Sequence, residues 1–226
     1  GYATVAFSLI LGVGLFFLLP SVASAGIEGA LDVETPLIAN LIEGLIRLVI
    51  LLGYISVIGL MPDVKRLFGY HGAEHKTINA YEDGAELTPE SVAKYSVEHP
   101  RCGTAFLLIV VFVSILVYSL LGQQTLLSRL ISRVILIPVI AGIAYEYLRF
   151  TARNIENPFI RIITKPSLAL QHLTTREPDL DMIEVGIIAF KRVLLSEGLL
   201  NEEDAEIPTE LKPQQTSFAP QQSSGD

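Results

Sequence analysis

The chain has 226 residues, 50% of them hydrophobic and only 18% charged, with a mean hydropathy of +0.49; that balance excludes an ordinary soluble domain and requires membrane spans. A formal net charge of -8 argues against nucleic acid as a partner. Cys102 is the single cysteine, so no internal disulfide can form, and a reduced thiol or a metal ligand is what remains.

Apolar runs near residues 3–24, 37–60, 103–122 and 130–150 are each long enough to cross a hydrocarbon core of roughly 30 Å, which takes about 20 helical residues. The first contains "SVASAG", which offers an A-x-A-like cleavage site. No basic segment precedes it and further spans follow, so it reads as a retained span. The chain opens on Gly1 rather than methionine, as a fragment or a processed product does.

Lysine and arginine set the expected orientation, because cytoplasmic loops retain them. Residues 25–36 carry Glu28, Asp32 and Glu34 without a base, whereas residues 61–102 carry Lys65, Arg66, Lys76, Lys94 and Arg101, and further bases run from Arg149 to Lys212. Arg129 and Arg133 point the other way and are outnumbered. The expectation is a multi-pass cell-membrane protein whose histidines and C-terminus face the cytoplasm.

In the 61–102 loop, Asp63 follows Pro62 as a capping residue, and "DVKRLFGYHGAEHKTINAYEDG" predicts a helix ending at Gly84, which suits the left-handed conformation past a helix end. Gly69 and Gly72 each weaken such a helix by about 1 kcal/mol relative to alanine, unless a neighbouring backbone packs closely there. Past the fourth span, Pro158, Pro166 and Pro178 divide the chain into short pieces. An amphipathic helix is predicted from Asp179 to Glu197, with Leu180, Ile183, Ile187, Phe190 and Leu194 as its apolar stripe, covering the loop or lying on the membrane.

The resulting expectation is an all-α integral membrane protein with four transmembrane helices, two in 1–60 and two in 103–150. A helical cytoplasmic loop occupies 61–102, a cytoplasmic helical segment 151–200, and a disordered acidic tail 201–226. Within the spans, Glu43, Arg47 and Glu146 stand where a charge at the helix centre costs at least about 2.5 kcal/mol. Glu43 and Arg47 are spaced i,i+4 and predict their own ion pair, while Glu146 precedes Arg149 and Arg153 near a span end.

The chemistry-bearing stretch is "YHGAEHK". On a helix, His71 and His75 share a face and Glu74 stands beside them, the H-x-x-E-H order of inverted zinc peptidases. Alone, such a pentapeptide equally describes a solvated helix face. The later "EHPRCGT" adds His99 and Cys102, giving H-x3-H and H-x2-C pairs joined by a longer loop, as zinc sites are built. Taken by itself, Cys102 reads as a small buried residue opening the third span. Glu82 lies on the stripe of His71 and His75 as a distal ligand or a solvated acid, and His172 ranks below the other histidines.

With "FGYHGAEHKTINAYEDGAELT", "EHPRCGTAFLLIVVFVSI" and the later "REPD" and "MIEVGIIAF", the sequence resembles the bacterial YqhQ-like membrane-protein family over most of residues 1–200. That family is a domain of unknown function labelled a predicted metal-dependent enzyme. The resemblance implies a test set of His71, Glu74, His75, His99, Arg101 and Cys102.

Two function classes stand open. In the first, a metal-dependent enzyme of hydrolase type, His71, His75 and His99 bind a divalent ion, zinc foremost, and leave a position for water. Glu74 is then the base, and Arg101 steadies an oxyanion or an anionic substrate such as a phospholipid headgroup. In the second, a non-catalytic scaffold or assembly factor, Cys102 completes a closed structural site and the protein recruits a membrane-protein or lipid partner. The lipid bilayer is a partner in both.

Overall fold

A computed structural model describes residues 2–33, 35–122 and 124–201. Glu34 and Lys212, and the acidic tail apart from Asn201, fall outside the described residues. All regular elements among the described residues are helical: α1 (Tyr2–Val13), a π-helical turn (Gly14–Leu18), α2 (Leu19–Leu31), α3 (Pro36–Ile58), α4 (Pro62–Glu82), the single turn α5 (Pro89–Val92), α6 (Gly103–Ser119), α7 (Leu126–Ile135), α8 (Ile137–Arg153), α9 (Pro158–Thr174) and α10 (Leu180–Ser196).

Two helices are long and apolar enough to cross a membrane: the continuous Tyr2–Leu31 helix and Pro36–Ile58. The third predicted span is the apolar 17-residue α6. The fourth is not one straight helix. It bends by 49° between α7 and α8, where Leu136 leaves helical geometry at ψ -2° just before Pro138, whose ring disfavours an uninterrupted helix. Counted as one span, that pair makes three candidates.

A buried polar knot joins these helices. Glu43 accepts from Arg47 at 2.7 Å, as the i,i+4 spacing predicts. Its carboxylate also takes a forked contact from Arg133 of α7 at 2.6 and 2.9 Å. The π turn leaves the Phe16 carbonyl to accept from Arg47 at 2.8 Å. Arg129 pairs with Glu28. Both bases that opposed the orientation count therefore have acidic partners within the bundle, a pairing that sequence separations of 101 and 90 residues hide. Glu146 instead meets Arg149 at 3.8 Å on an exposed surface.

Pro166 does not cut the chain: α9 runs through it from Pro158 to Thr174. Packing of α9 along α6 offsets the lost backbone hydrogen bond. The amphipathic helix forms as α10, with Asp179 capping it by accepting from the Met182 amide at 2.8 Å. Its Ile183 and Ile187 join Ala73, Ala80 and Val92 in one core, so the apolar stripe covers α4. Gly84 ends the α4 region at φ 72°.

Candidate metal centre

α4 presents His71 and His75 one turn apart, with ring centroids at 4.4 Å. Each imidazole is oriented by a backbone carbonyl from a different segment. His71 Nδ1 is 2.9 Å from the Thr174 carbonyl at the end of α9, and His75 Nδ1 is 2.5 Å from the Val97 carbonyl in the loop before α6. A carbonyl can only accept, so both Nδ1 atoms carry a proton and both Nε2 atoms are left facing the site, where the neutral ring can ligate an ion and the protonated ring can donate to the Cys102 sulfur.

Those carbonyls are held by side chains of the same helix. Lys76, buried on α4, donates to the carbonyls of Ala93 and Tyr95 at 2.8 and 2.6 Å, and Asn79 donates to those of Ser96 and Glu98, both at 2.9 Å. Together they strap the irregular 93–98 segment along α4. On the other side, the Arg176 amide donates to the Phe68 carbonyl at 2.9 Å. Gly72 permits this approach, since a Cβ there would stand 2.2 Å from the Arg176 oxygen. The glycine that weakens α4 as a helix is thus the one that lets the α9–α10 connection reach His71.

Cys102 caps α6, its sulfur accepting from the Thr104 amide at 3.4 Å. The sulfur also lies 3.4 Å from His71 Nε2. Donor atoms of His71, His75 and Cys102 all fall within 4.8 Å of one another. A tetrahedral zinc with Zn–N of about 2.0 Å and Zn–S of about 2.3 Å separates nitrogen from sulfur by about 3.5 Å, so the His71–Cys102 edge already has the spacing such an ion needs. Burial pushes the Cys102 thiol pKa up, but hydrogen bonds from His71, His75 and Thr104 outweigh it and bring the thiol down to about 5. His71 is held above the ordinary imidazole value, chiefly by its contact with the Cys102 sulfur.

His99 stands next to this triad and outside it. Its ring is 5.8 Å from that of His75. Nδ1 accepts from the Arg101 amide at 3.4 Å, and Nε2, buried without a hydrogen bond, faces Glu82 at 3.6 Å. Burial, then the neighbouring His75, hold its pKa below the usual value. Gln171, fully buried on α9, grips its backbone from both sides: the His99 amide donates to Gln171 at 2.9 Å, and Gln171 donates to the His99 carbonyl at 2.8 Å.

The triad opens into a cleft of about 450 Å³ lined also by Glu74, Glu82, Arg101 and Phe190. Glu74 is exposed at its wall, and Arg101 pairs with Glu82 at its mouth. His172 points elsewhere, pairing with Glu98 while 59% exposed. Sequence reasoning passed over Lys76, Asn79 and Gln171. The available signal was Asn79, one turn beyond His75 on the same face of α4, with Lys76 next to that face.

The chain belongs to the family described as protein of unknown function (DUF1385), which matches residues 1–196. It is 44% identical over 158 residues to the uncharacterized protein YqhQ of Bacillus subtilis (strain 168), a match covering 70% of this chain and 50% of that protein. The chain therefore spans about half the length of that relative. No solved structure matches it.

Proposed function

We propose that this DUF1385 member is a metal-dependent membrane enzyme of hydrolase type, in which His71, His75 and Cys102 hold one divalent ion at a cleft on the cytoplasmic side of a four-span bundle. The observation that carries the reading is the convergence of three donor atoms within 4.8 Å, two of them with tautomers set by backbone carbonyls. Two imidazoles and a thiolate form a borderline-soft donor set, which favours zinc. Four spans follow if α6 and the bent α7–α8 pair both cross, and the basic loops then lie inside.

An ion bound there supplies Lewis acidity toward a water or a substrate oxygen. The remaining work falls to the protein. Glu74, exposed beside both histidines, accepts the proton from an attacking water. Arg101, 59% exposed and paired with Glu82, faces an anionic group in the cleft mouth. His99 backs His75 with its amide locked by Gln171, which leaves the cleft side of the triad open to substrate. A closed scaffold site requires His99 to turn away from the Arg101 amide and Glu82.

Glu74→Gln tests the division of labour. The variant keeps the metal content of the wild type and loses turnover in a screen of ester, phosphoester and amide substrates. A Glu74→Gln protein with undiminished turnover, or wild-type protein purified without stoichiometric metal, overturns the reading.

A further inference from the structure

Arg101 lines a second groove besides the metal cleft. That groove, of about 320 Å³, is formed with Tyr145, Leu148, Arg149, Ala152 and Arg153. The five α8 residues follow i, i+3, i+4, i+7, i+8 spacing and so make one stripe of the helix. The stripe changes character along its length. Tyr145, Leu148 and Ala152 give an apolar floor, and Arg149 and Arg153 stand at the last turns, where α8 ends beside the start of α6.

The charges here exceed their local partners. Arg149 reaches Glu146 only at 3.8 Å, with the arginine 49% and the glutamate 68% exposed. Arg101 has Glu82, and Arg153 forms no ion pair among the described residues. Three guanidinium groups thus border an apolar floor with two carboxylates as local partners, neither of which lines the groove. A ligand that satisfies both parts carries an anionic, multi-oxygen head and a hydrocarbon body. Guanidinium groups bind phosphate through paired N–H donors. A tyrosine above paired arginines at the end of an apolar helix also matches the interfacial depth of a lipid headgroup.

We propose that the groove between Arg101 and the Tyr145–Arg153 stripe binds the phosphate headgroup of a membrane lipid, and that phosphate-bearing lipid is the substrate class presented to the adjacent cleft. The second clause rests on the metal-centre reading, whereas the binding site stands without it. Arg101 borders both cavities, so a phosphate seated in the groove is one side chain away from the histidine triad.

The test is native mass spectrometry of the full chain in detergent, titrated with dioleoyl phosphatidic acid, with diolein as the same hydrocarbon without phosphate, and with inorganic phosphate. Phosphatidic acid binds at least about tenfold tighter than diolein, and inorganic phosphate does not displace it at equal concentration. In Arg149→Gln/Arg153→Gln protein that preference falls by about tenfold while metal content is unchanged. Equal binding of phosphatidic acid and diolein, displacement by inorganic phosphate, or a double variant with the wild-type preference overturns the lipid site. Protein without metal that keeps an arginine-dependent lipid preference overturns the metal reading and leaves the groove intact.

Discussion

His71 Nε2 lies 3.4 Å from Cys102 Sγ, although 31 residues separate them. One sits in the middle of α4 and the other at the first turn of α6. Their meeting brings α4 against an apolar helix end and builds a donor set from two motifs.

The low thiol pKa makes this contact sensitive to acid. In metal-stripped protein, Cys102 is ionised in the fold down to about pH 5, against an ordinary thiol value of 9.0. A depressed pKa contributes stability that is fully present above the unfolded value and is lost as pH falls through the folded one. The melting-temperature advantage of wild type over Cys102→Ser in chelator therefore shrinks as pH falls from about 9 and is gone below about 5. An advantage that grows on acidification contradicts this.

Gly72→Ala drives a methyl group against the Arg176 carbonyl, 2.2 Å from the ideal Cβ position. Backbone cannot yield as a side-chain tip does, so the expected loss of stability is about 1–3 kcal/mol. Because Thr174 lies two residues before Arg176 and orients His71, retained metal falls as well. Gly29→Ala meets nothing within 4 Å and serves as the control. Thermal unfolding and elemental analysis of both variants check the pair of effects.

Gln171→Ala removes both hydrogen bonds to the His99 backbone and leaves a buried amide and carbonyl unpaired. The cost is about 1–3 kcal/mol. His99 and the Cys102 segment loosen together, and protection of the His99–Cys102 amides from hydrogen exchange drops. Unchanged protection contradicts the clamp.

Glu43→Gln leaves Arg47 and Arg133, both almost fully buried, facing each other without a carboxylate. Breaking such a buried pair costs about 3–5 kcal/mol. The variant melts well below wild type in detergent. Metal content in the surviving folded fraction is unchanged, since neither arginine touches the triad. Loss of metal in folded Glu43→Gln protein contradicts that independence.

The parts of the molecule legible in its sequence were those governed by local period. The i,i+4 spacing put His71 and His75 on one face, the apolar period placed Ile183 and Ile187 on one stripe while leaving open whether it covers the loop or lies on the membrane, and Gly84 marked the helix end. Where distant segments decide, local pattern failed. The passage of α9 through Pro166 depends on its packing along α6, whereas the bend at Leu136 had a local signal in Pro138 that the apolar run masked. H-x2-C spacing could not tell which of His99 and Cys102 brings its donor atom to the His71–His75 pair. The answer lies in the Gln171 clamp, which fixes the His99 backbone, and in the α6 cap, which aims the sulfur.

X-ray absorption spectroscopy at the zinc edge of purified protein decides whether His71, His75 and Cys102 hold an ion. The expected spectrum has one sulfur scatterer at about 2.3 Å with nitrogen or oxygen neighbours at about 2.0 Å, and the sulfur shell is lost in Cys102→Ser. A bound ion whose shell contains no sulfur in the wild type, or protein that holds no ion at all, contradicts it.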